Sequence, residues 1–358
     1  GGYLTDNYSW QWIFIINIPL CMISFLLVKL FVSNDKPEKQ KYNKKFDIIG
    51  YTAIVTAMAC MQIVLDKGQQ YNWFDTTWVC WTTGLCIFAF VFFYVWELEY
   101  KYPVIDIRVF KDRNFLFGTL ISSFINVMLY STLLLVPMFV QSLLGYSPSK
   151  SGLAMFPRAI ICLIGLLAAG EISRHVKPKI LAATGLLIMG ASVLMLTQLN
   201  STSSIESVVI PNILLCIGVP LAFVPITALS FQTLPSSKNA DAAALHALFK
   251  NIVTAVATAV SATFIARVSQ VRQTYLVEHL SPHNPVFQYK LMMLKSKFLI
   301  HYPSVLAAKK ASGSLYKELL QQARLASFFD AFTVLALMCV IVIPLLLLIK
   351  ANKQKTST

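Results

Sequence analysis

Apolar residues run through this chain in long blocks rather than in alternation. Seven stretches of 18 or more residues contain no Lys, Arg, Asp or Glu, and a charge-free apolar run of that length is long enough to cross a bilayer as a helix. Two further stretches of span length carry one to three charges. The pattern predicts nine crossings, over residues 13–32, 48–65, 77–96, 117–140, 152–171, 180–198, 207–231, 243–265 and 328–349. Hydrocarbon supplies no partner for backbone N–H and C=O groups, so spanning segments are helices or closed barrels. Runs near 20 residues without alternation select helices. The predicted fold class is all-α, a polytopic transmembrane helical bundle.

Loops between these runs set the orientation. One side holds 16 Lys and Arg residues, in the stretches Lys36–Lys45, Lys101–Arg113, Arg174–Lys179, at Lys238 and in Lys350–Lys355, whereas the short loops of the other side hold only Lys67 and Lys150. The excess places the first side in the cytoplasm and the C-terminus with it. The outer loop 266–327 is also basic, but long loops translocate largely regardless of charge. Within it Phe287, Leu291, Leu294 and Phe298 fall at helical spacing, and 315–325 is rich in helix formers, which predicts two short amphipathic helices packed on the outer mouth or docking a periplasmic partner. The chain then starts outside and ends inside. With no initiator methionine and no signal peptide, the start at Gly1-Gly2 leads us to expect a sequence truncated at its N-terminus, with further crossings before it.

Composition and charge narrow the function. The net charge of +14 would suggest a nucleic-acid surface in a soluble protein, but here the cations collect in membrane-flanking loops, and nucleic acid is rejected as a partner. All seven cysteines lie inside apolar runs without a CxxC pair and read as buried small hydrophobes. No HExxH, GxSxG or Walker-type run occurs, so neither an enzyme nor an ATP-driven pump is indicated. Uphill work would have to draw on an ion gradient, with no cofactor.

Specific strings carry a resemblance. Gly1-Gly2 and then Trp10-Gln11-Trp12-Ile13-Phe14-Ile15-Ile16-Asn17-Ile18-Pro19 closely resemble the junction after the fifth-span motif of drug:proton antiporters of the major facilitator superfamily, of the fourteen-span EmrB/QacA type. Asp47-Ile48-Ile49-Gly50 with Leu65-Asp66-Lys67-Gly68 and Trp73 resembles the extra helix pair between the family's two halves. Pro103-Val104-Ile105-Asp106 with Phe110-Lys111 and Arg113-Asn114-Phe115 resembles the entry to the second half. Pro137, Gln141, Leu144-Gly145-Tyr146-Ser147 and Gly152-Leu153 resemble its next outer turn, and Leu276–Pro285 resembles its outer loop.

The resemblance implies that the nine crossings are the last nine of fourteen. Residues 1–32 would be a remnant of the first bundle, 33–116 a linker with the extra pair, 117–350 a six-helix second bundle and 351–358 a cytoplasmic tail. It implies proton-coupled efflux of lipophilic or amphipathic small molecules across the bacterial inner membrane. It further implies, in Gram-negative members, a membrane-fusion protein and an outer-membrane channel as partners. Two departures stand out. The family's glycine-rich run in the penultimate span is replaced by Val253, Thr254, Val256 and Ala257, and its usual arginine there aligns with Lys250. The same fold exporting a dedicated metabolite such as a lipid or siderophore, or a non-transporting receptor or membrane enzyme, are the alternatives.

Ionisable groups inside spans cost about 2.5–3.5 kcal/mol each and ask for a reason. Arg158, near the outer end of its span, either snorkels to the interface or faces a substrate or gating cavity. His246 and Lys250 fall four apart on one helical face with Asn251 adjacent, as a structural contact or as the lining of a water-filled pathway. Glu171 is expected to pair with Arg174 or Lys179 at the inner mouth as a gate, or to sit at a solvated helix end. Asn126 and Tyr130, one turn apart near mid-membrane, either bind a ligand or act as polar glue between helices. Gln141 is a further pathway candidate. No Asp or Glu occupies the middle of any span, so the protonated carboxylate that coupling needs is expected in spans before residue 1, and these 358 residues alone are expected to perform no coupled transport.

Overall fold

The computed structural model describes residues 2–31, 47–100, 105–278 and 285–349. The lysines from 36 to 45, Lys101, Pro103-Val104, the loop 279–284 and the tail from Lys350 lie outside the described residues. No strand occurs among the described residues; they form α1 (Gly2–Asn7), α2 (Trp12–Ile15), α3 (Asn17–Phe31), α4 (Ile48–Lys67), α5 (Thr77–Glu99), α6 (Arg113–Ser142), α7 (Pro148–His175), α8 (Pro178–Leu196), α9 (Ile205–Phe231), α10 (Asn239–Glu278), α11 (Pro285–Leu299) and α12 (Ser304–Leu348). Nine of the described helical segments are long and apolar enough to cross a membrane, and each overlaps one of the nine runs read from the sequence.

Starts are set by local chemistry. The Asp47 carboxylate caps α4 by accepting from the Gly50 N–H at 2.9 Å and also accepts from Trp96 Nε1 at 2.9 Å, which ties α4 to α5. Asp112 caps α6 through the Phe115 N–H at 2.8 Å and takes the Thr233 hydroxyl at 2.8 Å, joining the α6 entrance to the end of α9. Ser147 precedes Pro148 at the head of α7, and Pro178 heads α8. These are side-chain acceptors and N1 prolines satisfying or removing orphan N–H groups.

Helices α6 to α10 and α12 pack into one bundle whose largest buried side chains include Phe139, Phe328, Phe332, Ile125, Leu186, Met189 and Leu215. Helices α8 and α9 approach closely where Gly185 and Gly218 face each other's backbone. The sequence cast doubt on close glycine contact in α10; the close pair lies elsewhere, because α8 and α9 carry glycines at matching heights while α10 carries none. Cys60, Cys86, Cys216 and Cys339 are buried free thiols and Cys162 is half-buried, but Cys21 and Cys80 are exposed, contrary to the expectation that all seven are buried.

The basic loop 266–327 departs from expectation. Helix α11 forms as predicted, with Phe287, Leu291, Leu294 and Phe298 half-buried against α12. The second predicted helix is not a separate element: residues 304–327 are continuous with the last span in one helix of 45 residues. Nothing between Leu315 and Phe328 breaks a helix, and no interface requires one to stop. The part before Phe328 projects about 36 Å beyond the span at 1.5 Å per residue. Gln273 donates to the Tyr316 hydroxyl at 2.8 Å, Arg272 meets Asp330 at 2.8 Å, Lys290 meets Glu318 at 3.4 Å, and the Lys310 ammonium sits 3.6 Å over the Tyr302 ring, together holding α10, α11 and α12 as a hairpin.

Candidate functional site

Arg158 is a buried charge in the membrane-embedded part. It follows Pro157, which has no N–H to give its helix and so loosens the ladder at that turn of α7. The guanidinium turns into the bundle, 5% exposed. One Nη donates to Asn212 Oδ1 of α9 at 3.2 Å; the other donates to the Leu129 carbonyl and to Thr132 Oγ1 of α6, at 3.0 and 3.3 Å. The acceptors are themselves oriented. Asn212 spends its amide N–H on the Val208 carbonyl at 2.8 Å, which fixes Oδ1 toward the arginine. Thr132 donates to Met128 O at 2.8 Å and Leu129 O at 3.0 Å, leaving a lone pair for the guanidinium. Arginine keeps its charge in such a setting, and none of these acceptors is a carboxylate.

This corrects the snorkelling reading of Arg158. Snorkelling is the solution for a cation with only lipid beside it; here two neighbouring helices supply three acceptors within 3.3 Å. The sequence named neither Asn212 nor Thr132. The one signal available was Asn212 itself, a bare amide in an otherwise apolar run beside Pro211.

The remaining candidates do not converge on Arg158. Asn126 is buried and gives one amide N–H to Ser122 O of its own helix at 2.7 Å. Tyr130 is half-buried. Gln141 is exposed and donates to Ser151 Oγ at 3.3 Å, closing the turn between α6 and α7. His246 lies against the Phe231 ring at 6.0 Å with its Nε2 buried and without a hydrogen bond among the described residues. Lys250 is half-buried on the same helix, and Asn251 is exposed. Glu171 pairs with Arg174 at 3.1 Å and approaches His175 at 3.6 Å, all on α7 and all more than half exposed. An ion pair within one helix end closes no gap between elements, so the geometry is that of a solvated helix end rather than a gate. Such pairs contribute about 0.3–0.5 kcal/mol. Glu171→Gln should leave thermal stability and any export unchanged within error; a clear loss of export would restore the gate.

Other ties went unread in the sequence. Lys238 meets Asp106 at 3.1 Å, holding the segment before α6 to the turn before α10. Ser261 donates to Ser131 at 2.8 Å between α10 and α6, beside a slot lined by Val127, Leu135, Val260, Phe264 and Met338. That slot measures about 80 Å³, well below the 300–1,000 Å³ of drug-sized sites.

Helices α6 and α9 bury 56% and 50% of their span windows, whereas α7 and α10 bury 17% and 11%. The outer turn of α7 meets the chain's first helix. The Ser149 N–H donates to Asp6 Oδ2 at 2.9 Å, and Gly2 touches the Pro148 backbone so closely that a side chain there would overlap it.

A family model described as the Major Facilitator Superfamily matches residues 1–258. The chain belongs to this superfamily. Among curated relatives, the probable multidrug resistance protein EmrY of Escherichia coli K12 is 28% identical over 80% of this chain and 56% of its own length. The fatty acid resistance protein FarB of Neisseria gonorrhoeae is 27% identical over 79% and 56%, and the multidrug export protein EmrB of E. coli K12 is 26% identical over 93% and 63%. The chain thus spans 56% to 63% of the lengths of these relatives. A solved bacterial homologue of the human lysosomal transporter Spinster, inward-facing and occupied, gives a TM-score of 0.49 at 15% identity over 84% of this chain and 64% of that one. Membership in the superfamily and likeness to EmrB-type exporters agree with the resemblance carried by the Trp10–Pro19 string.

Proposed function

We propose that these spans act as the second half of a secondary exporter that expels lipophilic or amphipathic compounds in exchange for protons, by alternating access. The observation that carries this reading is the contrast between packed α6 and α9 and the thinly covered α7 and α10. When one bundle rocks against another, the helices at that contact present faces that their own bundle leaves uncovered, as α7 and α10 do. The contact of Gly2 and Asp6 with the start of α7 supports the same assignment of faces. Arg158 then holds the moving helix α7 to α6 and α9 across the Pro157 break.

The relatives bear the words multidrug, fatty acid and colistin in their names, and an apolar body with a polar head is the chemistry common to such compounds. Energy comes from the proton gradient; the carboxylate that takes the proton lies outside the middles of these nine spans. The lysine-rich turns face the cytoplasm of a bacterial inner membrane, the hairpin faces outward, and a periplasmic membrane-fusion protein with an outer-membrane channel completes the route.

A chimaera tests this reading. Residues 13–358 joined behind the first five spans of E. coli EmrB, in a strain lacking its own exporters, should restore drug resistance and give efflux that a protonophore abolishes, while the chain alone should give neither. A folded chimaera that exports nothing, or that exports undiminished after the proton gradient collapses, would overturn it.

A further inference from the structure

Among the described residues, the hairpin carries an apolar surface that faces away from α12. On α11 the residues facing α12 are Phe287, Leu291, Leu294 and Phe298. On the far side, roughly 180° round at 100° per residue, Tyr289, Met292 and Met293 are each more than 60% exposed, and Ile300 just past the helix end is 75% exposed. Lysines border this strip along both edges, Lys290 and Lys297 on one and Lys295 on the other. The whole loop 266–327 holds nine Lys and Arg against two Glu, and one of those, Glu318, already pairs with Lys290. An apolar seam between basic margins is half of a helix-pairing code whose other half is acidic.

Height decides what can meet it. Lys309, beside the hairpin tip, stands about 28 Å above Phe328 along the helix. Headgroups extend only about 5–8 Å past the hydrocarbon, and charge is screened over about 8 Å in physiological salt. The tip therefore stands clear of its own membrane. A second copy of the strip would bring lysine margin against lysine margin.

We propose that the outward strip of α11 docks an α-helix of another protein, one whose apolar seam is flanked by Asp or Glu. The docking deepens the partner part of the function above and rests on the outward placement of the hairpin given there; it is independent of what the bundle carries.

Photoreactive benzoylphenylalanine at position 293 of the full chain, activated in living cells and followed by sequencing of the joined peptides, tests it. The expected result is one dominant adduct to a heptad-patterned peptide with acidic flanks, its yield falling at least tenfold in the Lys295→Glu, Lys297→Glu double variant. Both lysines are exposed, so the variant keeps the fold. Adducts to phospholipid or to a second copy, absence of any adduct, or a yield indifferent to charge reversal would each overturn the proposal. A Ser312→Cys variant, on the exposed outer part of α12 and off the strip, separates the two premises. Its labelling by a membrane-impermeant maleimide in intact cells, with no adduct at 293, sinks the docking and leaves the orientation standing; absence of labelling sinks both.

Discussion

Arg158→Met should leave the bundle folded while cutting export more than tenfold. Methionine fills much of the space of the arginine stem, so no large cavity opens. What disappears are three hydrogen bonds from a charged donor, worth about 1.5–3 kcal/mol each, and the standing penalty of several kcal/mol for holding a guanidinium out of water. These oppose each other, and the melting temperature of the purified chimaera should move by no more than about 4 °C, on the order of 1 kcal/mol. Export should suffer far more, because the tie between α7, α6 and α9 at 3.0–3.3 Å is gone on the helix assigned to the moving contact. As a positioning residue, Arg158 should affect the maximal rate and leave the drug concentration at half-maximal rate nearly unchanged. Arg158→Lys keeps the charge but replaces a planar fork by a point donor, and should recover only part of the rate. Unfolding of Arg158→Met would make the arginine a scaffold element alone, and full export by it would remove the residue from the mechanism.

The nine spans were legible because a charge-free block of 18 or more residues has one physical reading in a chain this apolar. Caps were legible in the same local way: Asp112 three residues before Phe115 and Ser147 before Pro148 need no tertiary information. The inner stripe of α11 followed from spacing alone. Distance along the chain is where reading stopped. Arg158 finds Asn212 54 residues later and Thr132 26 residues earlier, so its local surroundings left both the interface and a cavity open and named neither partner. Glu171 was read correctly as an ion-pair partner because its mates are three and four residues away. Its proposed gating failed because a gate needs a partner on another element. His246 and Lys250 share a face as their spacing requires, yet the imidazole spends itself on Phe231 from α9. The long α12 was missed because hydrocarbon thickness was taken to end the helix, and thickness sets only the shortest length a span can have.

The contact of α8 with α9 makes the second large prediction. A Cβ built on Gly185 would lie 2.5 Å from the Ala222 nitrogen and 2.7 Å from the Gly218 carbonyl oxygen, and one built on Gly218 would lie 2.7 Å from the Gly185 carbonyl oxygen. These three atoms are backbone, so a rotamer change relieves only the further contact of the Gly218 Cβ with Met189 Cγ at 2.8 Å, and the helices must part along a seam that also holds Leu186 and Leu215. Small residues that let helix backbones touch are the main source of attraction between spans, since lipid is as apolar as any side chain. Gly218→Ala should therefore cost about 2–3 kcal/mol, at the upper end of overpacking penalties, and Gly218→Leu should abolish the folded bundle in detergent. Gly84 provides the internal control. It sits in a helix with nothing within 4 Å of its added Cβ, so Gly84→Ala should be neutral or stabilising by up to about 1 kcal/mol through helix propensity. Thermal unfolding of the three variants, followed by the loss of a monodisperse size-exclusion peak, gives the comparison. Equal behaviour of Gly84→Ala and Gly218→Ala would mean that α8 and α9 do not approach through their glycines.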